Sequence, residues 1–139
     1  MHLYNHIKMI PSGLLLFFLS CNTAPAAAPS TAVETGRDFI RATLNGDFPG
    51  AEKLLLNDPR NTELFISYKS FYDRLPAEKK AGYKNASYNI NTFRDLNDSV
   101  SLINYSNSYM KQPMNIKLVR RDKTWKVDFK FTSEDSAAN

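Results

Sequence analysis

Around Gly82 the spacing of apolar residues changes from a period near 3.6 to a period of two, and this one change restricts the chain to helices followed by strands, an α+β fold. Before the switch, Thr31 and Glu34 have capping-box spacing, and Val33, Phe39, Ile40 and Leu44 share one face of a helix that Gly46 ends. Asp47-Phe48-Pro49 restarts the chain, and Ala51, Leu54 and Leu55 predict a short second helix stopping at Asp58-Pro59. Asn61 is placed to cap a third, in which Leu64, Phe65, Tyr68, Phe71, Tyr72 and Leu75 recur at helical spacing until Pro76. Residues 77–81 read as a short polar segment. After Gly82, Tyr88, Ile90 and Thr92 alternate with Asn89 and Asn91, and Asn97-Asp98 makes a turn. Val100, Leu102, Ile103 and Tyr105 predict a strand interior to the sheet, and Asn104 to Gln112 a polar loop. Met114, Ile116 and Leu118 mark a third strand and Arg120 to Lys123 its turn. The fourth strand has Trp125, Val127, Phe129 and Phe131 inward against Lys126, Asp128 and Lys130 outward. The expected architecture is three N-terminal helices packed on one face of a curved antiparallel sheet of about four strands.

The first thirty residues obey another logic. His2, His6 and Lys8 precede an apolar stretch from Ile10 to Leu19, shorter than the roughly 20 residues a membrane span needs. Small Ser20 and the single cysteine, Cys21, follow. Phe18-Leu19-Ser20-Cys21 resembles the lipobox of bacterial lipoproteins. The resemblance implies a signal peptide at 1–20, removed before Cys21, with a diacylglyceryl group on the Cys21 thiol and a fatty acid such as palmitate on its new amino group. Several acyl chains hold a protein stably on a membrane, where one holds it marginally. Residues 22–30 carry no charge and two prolines, and read with Cys21 as a flexible tether, 21–30. The resemblance further implies a place in the bacterial cell envelope. Asn22-Thr23 lacks the aspartate and the acidic run that sort such proteins elsewhere, which favours the periplasmic face of the outer membrane. The domain then spans 31–132 and a polar tail 133–139.

Cleavage at that point excludes much chemistry. Both histidines lie in the discarded leader and the one cysteine carries lipid, so Ser-His-Asp and Cys-His catalysis, His-ligated zinc and disulfides are unavailable to the mature chain. No cofactor is expected. The formal charge of +4 loses one unit with Lys8, too mild a balance to imply a nucleic-acid partner.

The opening pattern Phe39-Ile40-x-Ala42-x-x-x-Gly46-Asp47-Phe48-x-x-Ala51-x-x-Leu54-Leu55 resembles the first helices of the nuclear transport factor 2-like superfamily. The run from Ile116 to Asp128 resembles its final hairpin, with Lys123 standing where that hairpin usually carries glycine. The likeness covers Thr31 to Phe131 and is greatest to small bacterial lipoproteins of the group. It implies a cone-shaped domain whose sheet wraps a helix and whose mouth holds a small apolar ligand. It also implies relatives of two kinds: enzymes such as ketosteroid isomerase and scytalone dehydratase, and non-catalytic proteins that dimerise through the sheet's outer face. Fold does not choose between them.

An isomerase site needs a carboxylate base and acid donors in a dry pocket, for which Asp38, Asp73, Asp95, Tyr88 and Tyr105 are the available residue types. Helix-flank aspartates are ordinarily solvated and strand tyrosines ordinarily pack their rings, so no catalytic residue is assigned. Candidate pocket-lining residues are Phe39, Tyr88, Tyr105 and Trp125, and Cys21 is the candidate lipidation site. The amides of Asn89, Asn91, Asn104 and Asn107 are expected on a solvated sheet face. The leading expectation is a non-enzymatic envelope lipoprotein binding a small apolar ligand or an envelope protein, with the membrane as partner through Cys21 and a homodimer through the sheet face as a further option; the alternative is an isomerase or dehydratase of the ketosteroid-isomerase type.

Overall fold

The computed structural model describes residues 31–132. They form an α+β unit in which four helices precede a four-stranded antiparallel sheet of order β1-β2-β3-β4. Cys21, the leader, the tether and the tail lie outside the described residues.

Helix α1, Ala32–Asn45, starts at the expected capping box: Glu34 N–H donates to Thr31 Oγ1 at 3.2 Å and Thr31 N–H to Glu34 Oε2 at 3.1 Å. It ends at Gly46, whose φ is 73°. Its apolar face, Phe39, Ile40 and Leu44, is buried together with Gly36, and the absent side chain of Gly36 leaves room for Ile103 of the sheet. Helix α2, Phe48–Glu52, is capped by Asp47. It is shorter than expected because residues 54–56 leave the helix to pair with the last strand. Leu56 N–H donates to Val127 O at 2.9 Å, and Val127 N–H to Leu54 O at 2.8 Å. That pairing covers one edge of the sheet.

Helix α3, Pro59–Asp73, is capped by Asp58, not by Asn61. With Pro59 at N1, Asp58 accepts from the N–H groups of Arg60 and Asn61, which leaves the Asn61 side chain free for another task. Asn61 is fully buried; its Nδ2 donates to Leu56 O and its Oδ1 accepts from Lys130 N–H at 2.8 Å. The polar segment expected at 77–81 is instead part of a fourth helix, α4, Ala77–Lys84. No residue of α4 is buried, so it shows no apolar stripe in the sequence. Gly82 does not end it: the glycine sits inside the helix, where the Tyr109 ring packs against the space a side chain would fill.

Strand β1, Tyr88–Asn97, pairs with β2, Val100–Asn107, with register shifts between Ile90 and Thr92 and between Asp95 and Asn97. The first shift breaks the expected alternation: Thr92 lies opposite Asn104, and Phe93 opposite buried Ile103. Strand β2 lies between β1 and β3 and alternates without interruption, with Ser101, Ile103, Tyr105 and Asn107 buried. The loop expected from Asn104 therefore begins only after Asn107. Strand β3, Pro113–Arg121, buries Ile116 and Leu118.

Strand β4, Thr124–Asp128, stops short of the expected alternation, and residues 129–132 make a helical turn. The turn sends Phe129 into the core, while Phe131 stays half-buried with Lys117 Nζ 5.8 Å from its ring centre. Asp128, expected outward in solvent, is buried between Lys117 Nζ at 3.5 Å and Lys130 Nζ at 3.6 Å. Lys126 is half-buried and donates to Lys53 O. Phe39, Phe48, Phe65, Tyr68, Tyr72 and Phe129 form one aromatic cluster, with Phe65 and Phe129 edge-on at 5.3 Å and Phe48 and Tyr72 at 5.1 Å.

Candidate functional site

The same periods that build the core leave a cavity of about 400 Å³ within it, in the range of small-ligand pockets. Helix α1 contributes Phe39, Thr43 and Leu44 to its wall, and α3 contributes Leu64, Ser67, Tyr68 and Phe71, one turn apart. Tyr83 of α4 closes one side. The sheet supplies Tyr105 and Asn107 at i, i+2 on the buried side of β2, and Met114 opposite Tyr105 on β3. Phe129 and Thr132 enter from the C-terminal turn and Met110 from the β2–β3 connection. Phe71 and Met110 are exposed, at 51% and 38%, and mark where the cavity opens to solvent.

The wall is mainly apolar and aromatic, and among the described residues no Asp, Glu, Lys or Arg lines it. Two of its hydroxyls are committed to their own helices: Thr43 Oγ1 donates to the Phe39 and Ile40 carbonyls at 3.0 Å, and Ser67 Oγ to the Glu63 carbonyl at 3.1 Å. Tyr105 points its hydroxyl at the Met114 sulfur, 3.7 Å away, a weak acceptor. Burial pushes the Tyr68 phenol up to about 12, with the neighbouring Tyr83 and Tyr72 adding to the shift, and burial likewise raises Tyr105 and Tyr83. These phenols are neutral donors at any physiological pH.

Of the residues expected to line a pocket, the structure places Phe39 and Tyr105 in the wall and Tyr88 and Trp125 outside it. Tyr88 is half-buried on β1 with the Arg41 guanidinium 5.1 Å from its ring centre, a contact that ties α1 to the sheet. Trp125 is half-buried at the start of β4, opposite exposed Arg120. Asp38, Asp73 and Asp95 are exposed; Asp73 pairs with Lys69 at 2.6 Å, and Asp95 accepts from Ser101 Oγ at 2.6 Å.

The expected amide-rich face is real only in part. Asn91 Nδ2 donates to Asn104 Oδ1 at 2.9 Å and Asn104 Nδ2 to Asn115 Oδ1 at 2.7 Å, a ladder crossing three strands away from the core. Asn107 belongs to the opposite face. The signal was present, since the alternation carrying Ile103 and Tyr105 inward runs on to Asn107. Phe71, Met110 and Met114 were also missed as site residues, because lining a mouth leaves no periodic trace.

Among the described residues no group of three His, Cys, Asp or Glu side chains could hold a metal ion, and no helix is long and apolar enough to cross a membrane. Comparison with known proteins finds no match among protein families, curated proteins or solved structures.

Proposed function

We propose that this chain is a bacterial envelope lipoprotein, anchored through lipid on Cys21, whose domain is a nuclear transport factor 2-like cone that binds a small apolar ligand without transforming it. The observation that carries the reading is the cavity: about 400 Å³, walled by aromatic and aliphatic side chains and lined by no ionised group among the described residues. The helices-then-meander order and the burial of α1 against β2, β3 and β4 support the cone. The lipobox-like Phe18-Leu19-Ser20-Cys21 supports the anchor, and the periplasmic face of the outer membrane is the corresponding location.

Binding is favoured over isomerase chemistry on the same wall. Proton abstraction beside a carbonyl needs a base within hydrogen-bond reach of the substrate, and Asp38, Asp73 and Asp95 all stand outside the cavity. The remaining polar groups there are neutral donors, suited to orienting a ligand.

Photolabelling tests the reading on the full chain in its membranes. An uncharged alkyl diazirine should place adducts on cavity residues such as Tyr68, Met110 and Met114, and excess unlabelled alkane should suppress them. Adducts spread over the outer sheet face and indifferent to competitor would refute it.

A further inference from the structure

Asn107 is 3% exposed and stands in the cavity wall. Its Oδ1 accepts from the backbone N–H groups of Tyr109, at 3.1 Å, and Met110, at 2.8 Å, as the chain leaves β2. Those two donors fix the orientation of the amide, because a flipped side chain would set NH₂ against two N–H groups. Its Nδ2 is buried and has no hydrogen-bond partner among the described residues. An amide donor buried without a partner is costly, and structures seldom retain one.

We infer that the ligand is an uncharged apolar molecule bearing a hydrogen-bond acceptor of the carbonyl class, a ketone, aldehyde or ester, and that Asn107 Nδ2 donates to that oxygen. The inference rests on the ligand-binding reading of the cavity and adds the chemical class it selects. An acceptor recovers the desolvation of the amide, whereas a plain hydrocarbon leaves it unmade; sites built around a buried polar group discriminate on this basis. A carboxylate is disfavoured, since burying its charge would require a cation and none of the described residues lining the cavity is one. The neighbouring hydroxyls fit a supporting part: Thr43 and Ser67 are committed to their own helices, and Tyr105 faces the Met114 sulfur.

The test uses the full chain in membranes and the alkyl diazirine, with two competitors of equal carbon count, a methyl ketone and an alkane. The reading is the ratio of alkane to ketone concentration needed to halve cavity labelling, compared between wild type and Asn107→Asp. This variant keeps the oxygen that caps the turn, and at a pH high enough to ionise the buried carboxyl it lacks the donor; both proteins are read at that pH, and partitioning into the membrane cancels because both meet the same competitors. The ratio should fall by roughly tenfold in the variant, the worth of one hydrogen bond. An unchanged ratio, with both competitors still displacing the label, overturns the role of Asn107 while leaving the cavity a binding site. Absence of competition in wild type overturns the binding reading itself.

A second measurement does not depend on Asn107→Asp folding. The isotope-labelled carbonyl of the bound ketone should absorb at lower infrared frequency than in hydrocarbon, and the shift should persist in Tyr105→Phe. No shift in wild type refutes the donor, and a shift abolished by Tyr105→Phe reassigns it to the tyrosine.

Discussion

Asp58 places two demands on one carboxylate: it caps α3 through the Arg60 and Asn61 N–H groups and pairs with Lys130 Nζ at 2.9 Å. The Lys130 hydrogen bond and the backbone donors hold Asp58 below its ordinary 3.8, and the same bond raises Lys130 above 10.5. For Asp58 the depressed folded value means that its contribution is present above about 3.8 and lost as pH falls through that folded value. For Lys130 the raised value means a contribution present below about 10.5 and lost as pH climbs past the folded value. Asp58→Asn retains a capping oxygen and removes the charge. Thermal unfolding midpoints recorded from about pH 5 down to about pH 2 should fall less steeply in the variant than in wild type; parallel curves would remove the ion pair from the account. Single residues were legible where periodicity alone decides the face, as for Phe39 and Tyr105. They were not where a residue's partner is distant in sequence, as for Asn61, whose acceptor serves Lys130 from 69 residues away.

At the scale of elements, close approach and turn conformation yield two tests. A side chain at Gly36 would meet the end of buried Ile103, so Gly36→Ala should cost about 1–3 kcal/mol by overpacking, against a helix-propensity gain of about 1 kcal/mol. Adding Ile103→Val should recover much of that loss, although alone it should cost about 0.5–1.5 kcal/mol. Additive losses in chemical denaturation would mean that the helix and strand are not in contact there. The β3–β4 turn places both Asp122, φ 47°, and Lys123, φ 65°, in the left-handed region, the pattern of a two-residue hairpin. A lysine bears a cost there that glycine avoids, so Lys123→Gly should stabilise by about 0.5–1 kcal/mol. Lost stability would show that the lysine has a contact of its own. Helix α1 and strand β3 were legible because each buries one regular face, whereas β2 was placed inside the sheet but its last stretch of alternation, through Asn107, was read as loop. Helix α4 buries none, the shift after Ile90 moves Thr92 off the expected face, and β4 ends where Asn61 captures Lys130 N–H; the first leaves no periodic signal, and the other two break one. Trp125, expected to face inward, is half-buried. Trp125→Ala should therefore cost less than the roughly 3–5 kcal/mol of a buried tryptophan, and a denaturation midpoint gives the value.

For the whole molecule, the proposed anchor makes the sharpest demand on one residue. Cys21→Ser should abolish fatty-acid labelling and move the protein out of the membrane fraction. A variant that remains labelled and membrane-bound would remove the lipoprotein reading and leave the cavity untouched. In a chain delivered N-terminus first, the contacts between residues 54–56 and Val127 acquire a temporal meaning. The helices emerge first, yet the segment after α2 cannot complete its hydrogen bonds, nor Asn61 find Lys130 N–H, until β4 has been delivered. Closing such distant contacts is slow. The fold therefore has a latch at its C-terminal end: the last strand and the turn after it close contacts that the helices cannot complete among themselves.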